Sequence, residues 1–195
     1  LAAGQNSNAL GGSSIALGST ANATQTNAVS LGTGASSSAQ QAVSIGAGSN
    51  SSKNAAISIG RFAQATGTNS IATGISATAS AANSVAIGVS SKAKAEESIS
   101  IGAGSKAHST GAIATGTGAS AYGVNSLAQG RGSTANGSAS ISLGEEASSG
   151  IQKGIRIFIG TDNEGNDLYD AKVIETKNTI SIGYQAKAGY FNEES

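Results

Sequence analysis

The sequence predicts an all-β protein, a parallel β-roll (solenoid) whose coils are each 14 residues long. Three observations support this fold class. A glycine recurs every 14 residues, a short apolar alternation precedes it, and an alternation of small and polar residues follows it. A fixed interval of this kind is typical of stacked repeat architectures. A helical period of 3.6 residues does not match these alternating positions, and helices tolerate so much Gly and Ser poorly.

The recurring glycine, called the repeat glycine below, ends an apolar phrase such as NSVAIG, residues 83–88. The third residue before it is always a branched aliphatic, here Val85, and the residue directly before it is usually Leu or Ile, here Ile87. Only Ala or Ser lies between them, which predicts a strand of about five residues. The eleven regularly spaced copies are Gly4, Gly18, Gly32, Gly46, Gly60, Gly74, Gly88, Gly102, Gly116, Gly130 and Gly144.

A second alternation follows the repeat glycine. The third and fifth residues after it are always Ala or Ser, whereas the fourth and sixth are mostly polar and vary freely. We expect a second strand with its small residues directed inward and its polar residues in water. The seventh residue is glycine in four repeats, which predicts a corner with positive φ at Gly11, Gly67, Gly123 and Gly137.

Such a roll is thin, because its second strand offers only Ala or Ser to the interior, and one copy alone buries little apolar area. The first strand has an aliphatic side and a small-residue side, so both are buried if rolls associate sheet to sheet. We therefore expect a homo-oligomer. The alternation leaves open whether the Val and Ile columns face the roll interior or the oligomer axis. Thr73, Thr115 and Gln129 interrupt the second aliphatic column, which indicates tolerance of polarity near a corner.

The repeat is interrupted near its end, where the interval to the next phrase-ending glycine grows to 16 residues at Gly160 and then to 23 at Gly183. Residues 154–160 and 168–174 predict two strands joined by an acidic turn, a hairpin inserted into the roll. The prediction is a single β-roll domain over residues 1–195, with regular coils at 1–153, an irregular coil with a β-hairpin insertion at 154–179 and a resumed coil at 180–195.

The composition disfavours several classes of protein. Eleven Lys and Arg balance eleven Asp and Glu, so net charge gives no attraction to nucleic acid or an anionic membrane. Cysteine is absent, which excludes disulfides, thiolate metal sites and cysteine nucleophiles. No apolar run approaches the roughly 18 residues of a membrane span, so we expect no direct insertion of this segment. Because Met is absent even at position 1, we expect a piece of a longer chain, anchored by other parts.

Several phrases carry a family resemblance: NSIATG at 69–74, NSVAIG at 83–88 and ESISIG at 97–102, each followed by small residues at the third and fifth positions. They resemble the YadA-like head repeats of trimeric autotransporter adhesins. The resemblance implies a left-handed β-roll, trimerised around a common axis and displayed on a stalk above the outer membrane of a Gram-negative bacterium. Residues 161–179 depart from this pattern, and the neck and heptad stalk that follow such a head are absent, so we expect an isolated head.

The function this resemblance implies is that of a non-enzymatic adhesin head involved in virulence, which binds host extracellular-matrix protein or glycan, or another bacterial cell. The alternative is a rigid spacer of a surface fibre that presents the insertion at 161–179. An ice-binding solenoid is expected to present regular ranks of Thr, whereas the outer positions here mix Asn, Ser, Gln, Thr and Lys. A carbohydrate-cleaving solenoid needs clustered carboxylates. The acidic pairs at 96–97 and 145–146 are instead neighbours at corners.

Motifs that suggest chemistry are weak. The dinucleotide-binding pattern GxGxxA occurs at 102–107, 116–121 and 130–135, but it requires a following helix, which the repeat does not allow. A calcium site in the acidic turn lacks the EF-hand spacing, so we favour a solvated turn tip. We therefore predict no catalytic residue, cofactor or metal. The acidic side chains of this turn are Asp162, Glu164, Asp167 and Asp170.

One cluster, called the basic patch below, suggests a ligand contact. Lys92 and Lys106 occupy equivalent outward positions on consecutive coils, Lys94 and His108 lie beside them, and Tyr122 follows on the next coil. The functional interpretation is a contact for acidic matrix glycans or proteins. The alternative is an ordinary solvated face whose lysines discourage edge pairing.

Overall fold

Each 14-residue repeat folds into two short strands joined by two tight corners. The computed structural model describes residues 1–150, 153–161, 167–174, 180–183 and 185–188. The regular coils give strands of two or three residues. The five-residue strand expected from the sequence is therefore too long, because the corners occupy more of each repeat. The described residues form no helix, and so none of a length and hydropathy that would cross a membrane.

The strands are numbered in chain order. They are β1 (Ala2–Ala3), β2 (Asn8–Ala9), β3 (Ile15–Leu17), β4 (Asn22–Ala23), β5 (Val29–Leu31), β6 (Ser36–Ser37), β7 (Val43–Ile45), β8 (Asn50–Ser51), β9 (Ile57–Ile59), β10 (Gln64–Ala65), β11 (Ile71–Thr73), β12 (Thr78–Ala79), β13 (Val85–Ile87), β14 (Lys92–Ala93), β15 (Ile99–Ile101), β16 (Lys106–Ala107), β17 (Ile113–Thr115), β18 (Ser120–Ala121), β19 (Leu127–Gln129), β20 (Thr134–Ala135), β21 (Ile141–Leu143), β22 (Ser148–Ser149), β23 (Lys153–Thr161), β24 (Asp167–Ile174), β25 (Ile180–Ile182) and β26 (Lys187–Ala188).

Two parallel sheets of twelve strands form the roll. The first sheet contains the odd-numbered strands β1 to β21 and then β25, and the second contains the even-numbered strands β2 to β22 and then β26. In the regular coils each residue pairs with the residue 14 positions later, so Ile87 lies beside Ile101 and Ala86 beside Ser100. This register confirms the predicted all-β parallel solenoid.

The interior between the sheets is lined by Ala and Ser alone, and the larger aliphatic side chains lie outside it. In β13, Ala86 is fully buried, whereas Val85 is half-buried and Ile87 is exposed. Ala93 of the second sheet is also fully buried. The question that the alternation left open is thus answered: the Val and Ile columns cover the outer face of the first sheet.

Some of the buried serines that replace alanine in the interior link the two sheets by hydrogen bonds. The hydroxyl of Ser37 in the second sheet donates to the carbonyl oxygen of Val29 in the first at 2.7 Å. Ser44 in the first sheet donates to Ser36 in the second at 2.6 Å. A backbone carbonyl has a second lone pair beyond the one used in the ladder, so these bonds satisfy the hydroxyls without breaking the sheet.

The corners place one residue of each turn in the left-handed region. After the repeat glycine Gly88, this residue is Ser90, with φ of 56°, and in the opposite corner it is Asn83, also at 56°. The expectation of positive φ at the seventh position after the repeat glycine is wrong, because Gly11, Gly67 and Gly123 lie outside the left-handed region. The residue with positive φ comes two positions later, as at Ser13 and Asn69. Glycine at the seventh position instead meets backbone, since a Cβ on Gly67 would lie 1.9 Å from the carbonyl oxygen of Ala81.

The segment that interrupts the repeat, between β22 and β25, leaves the roll after one coil and rejoins it at the next. Strands β23 and β24 pair antiparallel with each other, and β25 pairs in parallel with β21, so that Ile180 lies beside Ile141. The side chain of Gln185 donates to the carboxylate of Glu146 at 2.9 Å across the same junction. Of the acidic residues assigned to the turn between β23 and β24, Asp162 and Glu164 lie outside the described residues, whereas Asp167 and Asp170 belong to β24.

Candidate functional site

The outer face of the second sheet is a polar ladder in contact with water. Its strands are two residues long, and in each regular coil from β4 onward the second residue is buried while the first points outward. The outward residue is polar in every regular coil, as at Asn22, Thr78 and Lys92. Because the backbone register is the same from coil to coil, these side chains form a straight column along the roll.

The basic patch lies on this face, where the sequence places it. Lys92 in β14 and Lys106 in β16 are direct register partners, and both side chains are exposed. The residues that follow each strand by one position form the neighbouring column, in which the amide of Lys94 donates to Ala107 at 3.0 Å. The amides of His108 and Tyr122 continue this column with equivalent bonds of 2.9 and 2.8 Å.

The imidazole of His108 stacks on the phenol ring of Tyr122. The ring centroids are 4.3 Å apart and the planes differ by 14°. Because the residues lie on successive coils, the stacked faces are directed along the column. Tyr122 remains 44% exposed, whereas Nε2 of His108 is buried and has no hydrogen-bond partner among the described residues.

The electrostatic potential of the patch is positive and disfavours a further charge on His108. Burial first, and then the ammonium groups of Lys94, Lys106 and Lys92, lower the pKa of His108 below the usual value for histidine. None of these three lysines forms an ion pair with another described residue. The one ion pair among the described residues joins Arg131 and Glu145. The cluster is thus a set of uncompensated cations around a neutral imidazole.

The outer face of the first sheet is apolar and carries two aliphatic columns along the roll. The column next to the corner includes Ile59 at 39%, Ile87 at 39% and Ile101 at 38% exposure. Thr73, Thr115 and Gln129 belong to this column and precede repeat glycines, so they lie beside a corner as expected. A continuous apolar face of this length is unusual on an isolated protein.

The comparison with protein families agrees with this geometry. The YadA head domain repeat matches residues 1–21, 9–35, 65–91, 93–119 and 121–147, which together make up more than half of the chain. The chain belongs to the YadA head family. This family consists of adhesin-type surface domains rather than enzymes. No curated protein matches the chain.

This YadA head also has an exposed apolar strip that the sequence reasoning missed. It lies in the corner after the repeat glycine, where Phe62 is 53%, Ile75 44% and Val89 50% exposed. Phe62 occupies the left-handed region with φ of 59°, and its ring covers Gly48 of the preceding coil. The guanidinium of Arg61 lies 5.4 Å from the centroid of this ring. The available signal was a large apolar residue at the first or second position after the repeat glycine, where the other regular coils have small or polar residues.

The described part of this YadA head offers no converging chemical groups besides the basic patch. No three His, Cys, Asp or Glu side chains there come together as a metal site. The GxGxxA stretches start at the corner glycines Gly102, Gly116 and Gly130 and run into strands of the second sheet. They therefore lack the helix N-terminus that a pyrophosphate needs. An open polar depression at the opposite corner is lined by Thr26, Asn27, Gln40 and Gln41.

Proposed function

We propose that the chain is the non-enzymatic head of a trimeric bacterial adhesin that binds host extracellular matrix or cell surfaces through multivalent polar contacts. The 195 residues act as a single head domain, and parts of the protein outside this segment anchor it in the outer membrane. The observation that carries the proposal is the YadA head repeat on a solenoid whose solvent face is one long polar ladder. Another bacterial cell is an alternative partner for the same surface.

The trimer is supported by the apolar outer face of the first sheet. Its aliphatic columns include side chains such as Ile87 and Ile101 that a single chain leaves more than a third exposed. Three copies that turn this face toward a common axis remove the columns from water, which is favourable by roughly 25 cal/mol for each Å² of apolar area. The second sheet, with its polar ladder and basic patch, then faces outward on all three sides.

Binding by such a surface depends on repetition more than on a deep pocket. Three copies of one patch on a rigid trimer raise avidity for a ligand that presents several matching groups, even when each contact is weak. The basic patch gives the ladder its chemical preference, because Lys92, Lys94 and Lys106 have no acidic partner among the described residues. We assign this patch to acidic groups of a matrix glycan or protein.

Replacement of Lys92, Lys94 and Lys106 together by Ser is expected to weaken binding to a sulfated oligosaccharide by at least about tenfold at low ionic strength, with a smaller loss at high salt. Surface plasmon resonance over a salt series measures this. A matched control changes Lys53, Arg61 and Arg131 to Ser, which removes the same charge elsewhere on the described roll. Equal loss in both variants contradicts the patch and indicates general attraction.

The second candidate function is a rigid spacer that presents the interrupted segment. It is favoured by the in-register return of β25 onto β21, since the roll continues as if the excursion were absent. Deletion of residues 155–179, which removes the insertion at 161–179 together with β24 and nearly all of β23, separates the two functions. If adhesion to matrix-coated surfaces is lost while the oligomer persists, the roll is the spacer; if adhesion persists, the polar ladder is the binding surface.

A further inference from the structure

The basic patch contains a titratable group, His108, whose positive form is repelled by the lysines around it. His108 follows β16, so Lys106 lies on its own strand and Lys92 and Lys94 lie on the preceding coil at β14. On the next coil it stacks on Tyr122. The carboxylates nearest in the chain are Glu96 and Glu97, in the corner after Lys94, and they form no hydrogen bond or ion pair with the imidazole among the described contacts. The charged groups that act on His108 are therefore cations.

This arrangement couples the proton on His108 to whatever neutralises the lysines. A proton on the imidazole adds a fourth positive charge to the patch and charges a ring whose Nε2 is buried without a partner. An anion bound between Lys92, Lys94 and Lys106 cancels the repulsion and favours the imidazolium. By linkage, a proton that is bound more tightly in the presence of the anion must in turn tighten the anion.

We infer that the basic patch binds a linear polyanionic glycan together with a proton on His108, so that this head holds its ligand more tightly in acidic surroundings. The inference rests on the proposed adhesive function and adds its ligand class and regulation. A linear glycan fits better than an acidic protein, because the ladder is flat and polar and runs in straight columns. Its outward residues are polar in every regular coil, whereas protein partners are commonly held by aromatic anchors.

The sign of the effect follows from the two forms of His108. The lysines and burial hold its pKa below the usual value of about 6.5. Well above the pKa of His108 in the complex, the imidazole is neutral with or without ligand, and affinity does not depend on its proton. As the pH falls, the complex takes up a proton before the free protein does, so affinity rises until both forms are protonated. Each unit by which the ligand raises the pKa gives about a tenfold gain.

The test is titration calorimetry of the whole oligomeric chain with a defined sulfated oligosaccharide, whose sulfates stay ionised across the pH range. We expect affinity to increase about threefold to tenfold from pH 7.5 to 5.0, with proton uptake visible as different apparent enthalpies in MES and Bis-Tris buffers. The variant H108Q keeps a polar side chain without a titrating proton, and we expect its affinity to change by less than about twofold between pH 7.5 and 5.0.

The outcomes separate this inference from the adhesive function on which it rests. If the parent binds with equal affinity at both pH values, or if H108Q retains the full increase, the proton coupling is wrong and the patch is a simple cation cluster. If neither protein binds the sulfated oligosaccharide at any pH, the assignment of the patch to acidic ligands fails as well. Binding of polyglutamate but not the oligosaccharide overturns the glycan in favour of an acidic protein.

Discussion

Substitution of Gly88 by Val is expected to unfold the middle of the roll, with a loss of more than about 3 kcal/mol in the free energy of unfolding. Gly88 has φ of 124°, a region that side chains rarely occupy. A Cβ at this position would lie 2.7 Å from the carbonyl carbon and oxygen of Gly102 on the next coil. The substitution is therefore strained by its own backbone and by its neighbour, and neither can move without breaking the register.

Thermal unfolding followed by circular dichroism measures the effect of G88V, and Gly104→Ala provides the matched control. Gly104 has φ of 66° and a built Cβ there meets nothing within 4 Å. The equivalent position carries Ser90 in the preceding coil. We expect the control to cost about 1 kcal/mol, the penalty for one left-handed residue with a side chain. A melting temperature for G88V as high as that of the control contradicts the required close approach.

Substitution of Ile87 and Ile101 together by Lys is expected to convert the proposed trimer into monomers at micromolar concentration. Both residues lie on the apolar outer face of the first sheet, so the trimer would have to bury six ammonium groups around its axis. Each buried, unpaired charge costs several kcal/mol. Sedimentation velocity gives the mass, and circular dichroism shows whether the β-roll persists, as we expect because neither side chain enters the interior.

Two further variants keep the trimer prediction decisive. Ser36→Lys with Gln64→Lys adds the same charge to the outward column of the second sheet, where Lys92 and Lys106 already occur, and should leave the oligomer intact. Ile87→Thr with Ile101→Thr is milder, since Thr73 and Thr115 occupy that column naturally, and should weaken the trimer without unfolding the chain. An unchanged mass for the Lys variant would place the oligomer interface elsewhere.

The fold was predictable from the sequence because the interval of 14 residues fixes which strands are neighbours. The pairing of Lys92 with Lys106 followed directly, and so did the column that contains His108 and Tyr122. The direction of the aliphatic side chains, into the roll or away from it, could not be predicted from the sequence. Alternation fixes that Ala86 and Ile87 lie on opposite faces but not which face is inside. The structure decides it, because the tight corners leave room for only methyl and hydroxymethyl groups between the sheets.

Other features escaped the sequence because they depend on local backbone geometry. The left-handed corner position accepts Asn83, Ser90 and even Phe62, so no single residue type marks it. The glycine at position 67 suggested positive φ. A side chain is instead excluded there by the backbone of Ala81 on the next coil. The buried, unpartnered Nε2 of His108 depends on how the ring packs on Tyr122, which a pattern of letters does not specify.

Strand β25 pairs with β21 although other strands lie between them in the sequence. Coils that are neighbours in the roll therefore need not be consecutive in the chain. The chain can leave the roll at a corner, form other strands and then return to the same sheet, because the next coil needs the open edge of the preceding strand for its hydrogen bonds. A parallel roll of this kind can therefore accept an inserted segment between two coils while the surface of its other coils stays unchanged.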